Sequence, residues 1–181
     1  MRIYKDINEN LDEIAFEIEC GAVFIYPTDT IYGIGCNALD SAAVKKIREI
    51  KKRDQKPFSV IAPSKEWIER NCEIDKKYLK KLPGKYTLIL KIKNKECIAP
   101  EVSKGKLGVR IPKHEISKLV EKLGFPIVTT SVNLSGENPT TSLKTLKKEI
   151  EKMVDFAIDE GKLEGKPSKV IDMTTKKILR T

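Results

Sequence analysis

Ile7, Leu11, Ile14 and Ile18 form a helical stripe that stops at Gly21, and an apolar run from Ala22 to Tyr26 follows before the chain breaks at Pro27. A 3.6-residue period that gives way to a short continuous apolar run confines this chain to folds that lay helices on a sheet. The alternation continues. Val44, Ile47 and Ile50 mark a second helix, with Asp40 or Ser41 as its cap, and Phe58 to Ala62 reads as a short strand. Residues 64–82 read as helical up to Pro83-Gly84. Tyr86–Ile92 and Leu107–Ile111 read as strands, and Ile116, Leu119, Val120 and Leu123 as a helical face closed by Gly124. Ile127–Thr130 is a strand, and Leu143, Leu146, Ile150 and Met153 form another helical stripe. Val154–Ile158, Lys169–Asp172 and Ile178–Arg180 complete the pattern as strands. The expected architecture is α/β: a twisted, partly parallel mixed sheet covered by helices, with residues 1–181 as one domain.

Chemistry-bearing residues follow the apolar runs. After Tyr26 come Thr28, Asp29, Thr30 and Tyr32, then Gly33 and Gly35. A buried strand that ends in small polar groups and glycine sets donors at a sheet edge, where open α/β sheets bind ligands. The same residues also fit a plain strand, turn and strand with glycine for close packing. Lys51-Lys52-Arg53 and Lys56-Pro57 end the second helix, where cations complement the helix dipole or converge on phosphates. Thr129-Thr130-Ser131 leads to Asn133, whose side chain points to the same side as Ser131 in extended backbone. Ser168 precedes a strand that ends at Asp172. Arg110 sits inside an apolar strand and needs an anionic or hydrogen-bonding partner.

The formal charge of +9 is unevenly placed, with ten lysines against two glutamates over residues 76–106. Such a stretch suits an anionic partner, nucleotide phosphates or RNA, or a solvated lysine face. No run approaches the ~20 apolar residues of a membrane span, and the N-terminus lacks the apolar core of a signal peptide. A cytoplasmic setting is expected, with Cys20, Cys36, Cys72 and Cys97 as reduced thiols at no metal-ligand spacing. Cys36 reads as a small packing residue. Glycine-rich phosphate-loop and dinucleotide fingerprints are missing. With His114 the one histidine, catalysis would work by positioning and charge stabilisation.

PTDTIYGIGCNA, KKRDQKPFSVI, PGKYTLILK, GVRIPKH, TTSVNLSG, GKPSKVID and the final ILR stand in one order over nearly the whole chain. Together they resemble the YrdC-like family, the threonylcarbamoyl-adenylate synthases of tRNA modification. The resemblance implies a mixed α/β fold with a concave basic cavity. It implies that L-threonine, bicarbonate and ATP give threonylcarbamoyl-AMP and pyrophosphate, with Mg2+ sharing the phosphate charge. A downstream threonylcarbamoyl transferase would use the product, and tRNA or double-stranded RNA is a possible partner. Lys51 and Arg53 would be catalytic. ATP would lie against Lys51, Arg53, Arg110, Ser131, Asn133 and Ser168, and threonine against Thr30, Tyr32, Arg53, Ser168 and Asp172. Ile61 stands where many members carry histidine and would remove one polar contact to the amino acid. The alternatives are an RNA-binding module of the same fold and a related carbamoyl-adenylate-forming enzyme.

Overall fold

A computed structural model describes every residue except 54, 55 and 135, so Asp54, Gln55 and Ser135 of the polar segments above lie outside the described residues. The apolar runs become strands buried on both faces. In β2 (Phe24–Tyr26), Phe24 and Tyr26 enter one core cluster while Val23 and Ile25 enter the other. β4 (Ser59–Ile61) divides Val60 from Ile61 in the same way, and β8 (Ile127–Ser131) divides Val128 from Ile127. A strand covered on both sides reads as a continuous apolar run, since each face of its two-residue period meets a core.

α1 (Leu11–Glu19) and α4 (Ile116–Leu123) pack on one face through Ile14, Ile18, Leu119 and Val120. α2 (Ser41–Lys51) and α3 (Lys65–Asn71) cover the other through Val44, Ile47, Trp67 and Ile68. Asp40 caps α2 by accepting from the backbone N–H of Ala42 at 2.9 Å and of Ala43 at 3.1 Å. Lys52, at φ +48°, ends α2 in the left-handed region and turns the chain out of the helix between Lys51 and Arg53.

Two edge strands frame the sheet. β1 (Arg2–Tyr4) pairs in parallel with β9 (Phe156–Ile158), which pairs in parallel with β2. β3 (Gly33–Gly35) lies antiparallel between β2 and β8, and β8 continues to β4. β4 pairs in parallel with β7 (Lys106–Arg110), and β7 antiparallel with β6 (Tyr86–Ile92). β10 (Lys169–Asp172) joins β6 in parallel, and β11 (Lys177–Arg180) closes the far edge. The result is the twisted, partly parallel mixed sheet expected from the sequence. Its order is β1-β9-β2-β3-β8-β4-β7-β6-β10-β11.

Some elements depart from the sequence reading. The helix expected over 64–82 stops at Asn71, whose side chain donates to the carbonyl of Trp67 at 2.9 Å and so competes with backbone pairing. Cys72–Glu73 then forms β5, antiparallel to β6, and Asp75 caps a separate 3-10 segment over Lys76–Lys81. The stripe at 143–153 divides into a 3-10 turn at Leu143–Thr145 and α5 at Lys148–Glu151. Ile7 is buried ahead of α1, because Asp6 accepts from the N–H groups of Asn8 and Glu9 and makes a turn there. Cys36 is wholly buried in the core, as a packing residue would be.

Candidate active site

A cavity of about 300 Å³ opens where the last turn of α2 meets β3, β4, β6, β7, β8 and the two final strands. Lys51, Arg53, Arg110, Ser131, Asn133, Ser168, Thr30 and Tyr32 all line it, so residues from separate sequence segments meet in one place.

The register explains the convergence. Gly33 of β3 faces Ser131 of β8, and Ser59 of β4 faces Thr129. Gly35 allows this spacing, since a Cβ there would stand 2.2 Å from the carbonyl oxygen of Val128. Beside this wall the Thr28 hydroxyl accepts from the N–H of Thr30 and of Ile31, holding the Pro27–Ile31 loop as a compact turn. The Thr30 hydroxyl lies 3.3 and 3.4 Å from the two terminal nitrogens of Arg110.

Arg110 meets the need its strand position predicted. One terminal nitrogen donates to Asp29 Oδ1 at 2.8 Å, with both side chains 7% exposed. Asp29 Oδ2 also accepts from the N–H of Lys113. Burial lowers the Arg110 pKa while Asp29 opposes that shift. Its Nε is buried without a hydrogen-bond partner among the described residues. A cavity-lining guanidinium with an unmet donor is a place for a carboxylate or phosphate oxygen.

Across the cavity, the Ser168 hydroxyl lies 2.8 Å from that of Thr87 and accepts from Arg180 at 3.1 Å, while Arg180 Nε donates to the Ser168 carbonyl at 2.8 Å. Arg180 has no carboxylate partner among the described residues, and burial lowers its pKa. Arg53 donates to the carbonyls of Lys56 and Pro57, and its guanidinium carbon stands 4.9 Å from the centroid of the Phe58 ring. Arg48 stands 4.6 Å from the same centroid, so this aromatic ring anchors the turn. Burial, and then the charge of Arg48, lowers the Arg53 pKa. Lys51, Arg53, Lys56, Arg110 and Arg180 thus put five cations on the wall, and no carboxylate lines it among the described residues.

Tyr32 lines the cavity with its ring. Its hydroxyl donates to the Gly161 carbonyl at 2.8 Å and accepts from the N–H of Glu160, and burial pushes the phenol up to about 12.

One assignment is corrected. Asp172 does not line the cavity. It lies at the far end of β10 from Ser168, where it accepts from the N–H and hydroxyl of Thr174 and from Lys106 at 3.1 Å. These donors lower its pKa to about 2. A carboxylate at a strand end read as a ligand, and it is the cap of the β10–β11 turn. Ile61 is also absent from the cavity wall and lies wholly buried in the core beside α4. Sequence reasoning gave no role to Arg180, Thr87 or Ser59, all of which line the cavity. A hydroxyl inside the apolar run of β6 was the available signal for Thr87. Arg180 stood only as the last residue of the ILR segment, with no role given to it.

The Sua5/YciO/YrdC family model, described as telomere recombination, matches residues 17–181, and the chain belongs to that family. A Methanocaldococcus jannaschii relative is 38% identical, the alignment covering 99% of this chain and 89% of that one. A threonylcarbamoyl-AMP synthase of Xanthomonas axonopodis pv. citri is 32% identical over 94% of this chain and 97% of its own length. The crystal structure of Pyrococcus abyssi Sua5 complexed with L-threonine superposes with a TM-score of 0.84 at 30% identity over 96% of this chain. This chain spans 54% of that longer protein.

Proposed function

We propose that this chain is an L-threonylcarbamoyladenylate synthase, a nucleotidyltransferase that works on ATP, L-threonine and bicarbonate, with residues 1–181 acting as one unit. The observation that carries the reading is the cavity itself: five cations, no lining carboxylate among the described residues, and the unmet buried donor of Arg110. Relatives aligned over nearly all of this chain bear the synthase name, and a matched structure holds threonine.

In this reading bicarbonate carboxylates the threonine amine with loss of water. A carbamate oxygen then attacks the α-phosphorus of ATP, and pyrophosphate leaves. No side chain forms a covalent intermediate. Arg53 and Arg180 offset charge on the phosphates, Arg110 and Thr30 hold the threonine carboxylate, and Ser131, Asn133 and Ser168 fix the nucleotide. Tyr32 closes the threonine side. Among the described residues no group of three His, Cys, Asp or Glu could hold a metal. Magnesium would enter with the substrate, bound to ATP phosphate oxygens, and would share their charge with the cavity cations. The product passes to a downstream transferase that modifies tRNA.

Direct RNA binding receives less support from the lysine-rich face. Lys76 pairs with Glu69, Lys77 with Asp75, Lys91 with Glu73 and Lys106 with Asp172, so local carboxylates offset much of that charge. No helix among the described residues is long and apolar enough to cross a membrane.

The test is pyrophosphate release from magnesium-ATP. Release should require both threonine and bicarbonate, and Arg53→Ala should lower kcat/KM by about 100- to 1,000-fold, as loss of one fixed charge-stabilising donor does. Release that ignores threonine would contradict the reading.

A further inference from the structure

Lys51 is the only buried lysine among the described residues, and although it lines the cavity its ammonium protons are taken up by oxygens of the protein. Its Nζ stands 2.6 Å from the Ser131 carbonyl, 2.6 Å from the Asn133 carbonyl and 2.6 Å from Asn133 Oδ1. An ammonium has three N–H bonds, and three acceptors use all of them. No carboxylate pairs with it among the described residues. Asn133 Oδ1 accepts also from the Ser131 hydroxyl at 2.6 Å, and Asn133 Nδ2 donates to the Glu137 carbonyl at 2.6 Å. The last turn of α2 is thereby tied to the exit of β8, and the orientation of both polar side chains depends on the tie.

We infer that Lys51 is a positioning residue, a three-point clamp that holds Ser131 and Asn133 in place for the nucleotide rather than a cation that binds its phosphates. The inference rests on the synthase reading and departs from the direct phosphate role expected from the sequence.

The two roles differ in how a loss depends on phosphate number. A direct cation contributes more as phosphates are added, whereas a clamp contributes equally to every nucleotide that uses Ser131 and Asn133. The experiment measures dissociation constants for AMP, ADP and ATP by calorimetry with the wild-type chain, Lys51→Met and Arg53→Ala. Methionine keeps the apolar stem and removes the three donors. Lys51→Met should weaken all three nucleotides by a similar factor of about ten, the scale of hydrogen bonds from a charged donor. Arg53→Ala should weaken ATP much more than AMP. Lys51→Met added to Asn133→Ala should cost little more than Asn133→Ala alone, because the lysine acts largely through that side chain. A Lys51→Met loss that climbs from AMP to ATP overturns the inference and leaves the synthase reading standing. Failure of the wild-type chain to bind any of the three overturns both.

A second measurement needs no variant. Burial, followed by the charge of Arg53, lowers the Lys51 pKa to about 8, while Glu137 opposes the shift. Deprotonation leaves two N–H bonds for three oxygens. Wild-type affinity for AMP should fall as pH rises through about 8, since the competent form is the protonated one. A fall that is larger for ATP than for AMP over the same range overturns the inference, because a cation on the phosphates loses more with each phosphate added.

Discussion

Replacing Asp29 with asparagine lowers the free energy of unfolding by about 3–5 kcal/mol, the usual cost of removing one partner from a buried ion pair. Arg110 is enclosed, Asp29 is its only carboxylate partner among the described residues, and Thr30 supplies only long contacts of 3.3 and 3.4 Å. An asparagine at position 29 could still accept one hydrogen bond, but it carries no charge to offset the guanidinium. Asp29 Oδ2 also tethers the Lys113 N–H, so the start of the segment leading to α4 loosens with it. Urea titration followed by circular dichroism reads the loss as a shifted midpoint. Arg110→Met in the same chain should recover much of it, because the double variant leaves no unpaired charge in the core. A loss below ~1 kcal/mol would place Arg110 in a far more polar setting than its burial implies. The recovered double variant should still fail to bind threonine, which separates the stabilising role of the pair from its role in binding.

The second large effect is steric. A Cβ on Gly165 would stand 1.9 Å from the Thr30 carbonyl oxygen, 2.6 Å from its carbon and 2.8 Å from its Cα. All three are backbone atoms, so no side chain can swing away. Gly165→Ala must push the 159–168 segment and the Thr28–Ile31 turn apart, which moves Tyr32, Thr30 and Ser168 together. Displacements near ~1 Å cost about a hundredfold in rate, and a loss of that size in kcat/KM for threonine is expected. Gly161 is the control. It has φ +79°, and a Cβ added there would meet nothing within 4 Å, so alanine costs ~1–2 kcal/mol of backbone strain without a collision. Gly161→Ala should lose stability and keep most of its activity. Equal kinetics for the two variants would show that the 165 contact does not shape the site.

These predictions mark where the sequence was readable. β2, β4 and β8 announced themselves as apolar runs, because burial on both faces removes any polar alternation. The segments at the ends of β2 and β8 carried hydroxyls and the amide of the cavity, and an arginine inside the apolar run of β7 needed a partner that proved to be Asp29. Tertiary pairing was not readable. Cys72–Glu73 left a helical pattern to join the β6 edge, and β1 formed from three residues because β9 lay beside it. Charge was legible as composition but not as geometry. Lys51 stands in a basic cluster, yet its protons point at carbonyl oxygens. Asp172 resembles a ligand and serves a turn. Arg180 lies on an exposed edge strand and reaches the cavity because β11 pairs it with Val170 of β10, close to the preceding Ser168.

The most direct measurement of the central claim is a double-label incubation. The purified chain is given magnesium-ATP, threonine labelled with one isotope and bicarbonate labelled with another, and the nucleotides are separated. One new adenylate is expected, carrying both labels in equal amounts, with one pyrophosphate released for each. An adenylate carrying threonine but no bicarbonate carbon would instead mean direct activation of the amino acid. That result, or the absence of any labelled adenylate from a chain that binds ATP and threonine, would contradict the synthase reading.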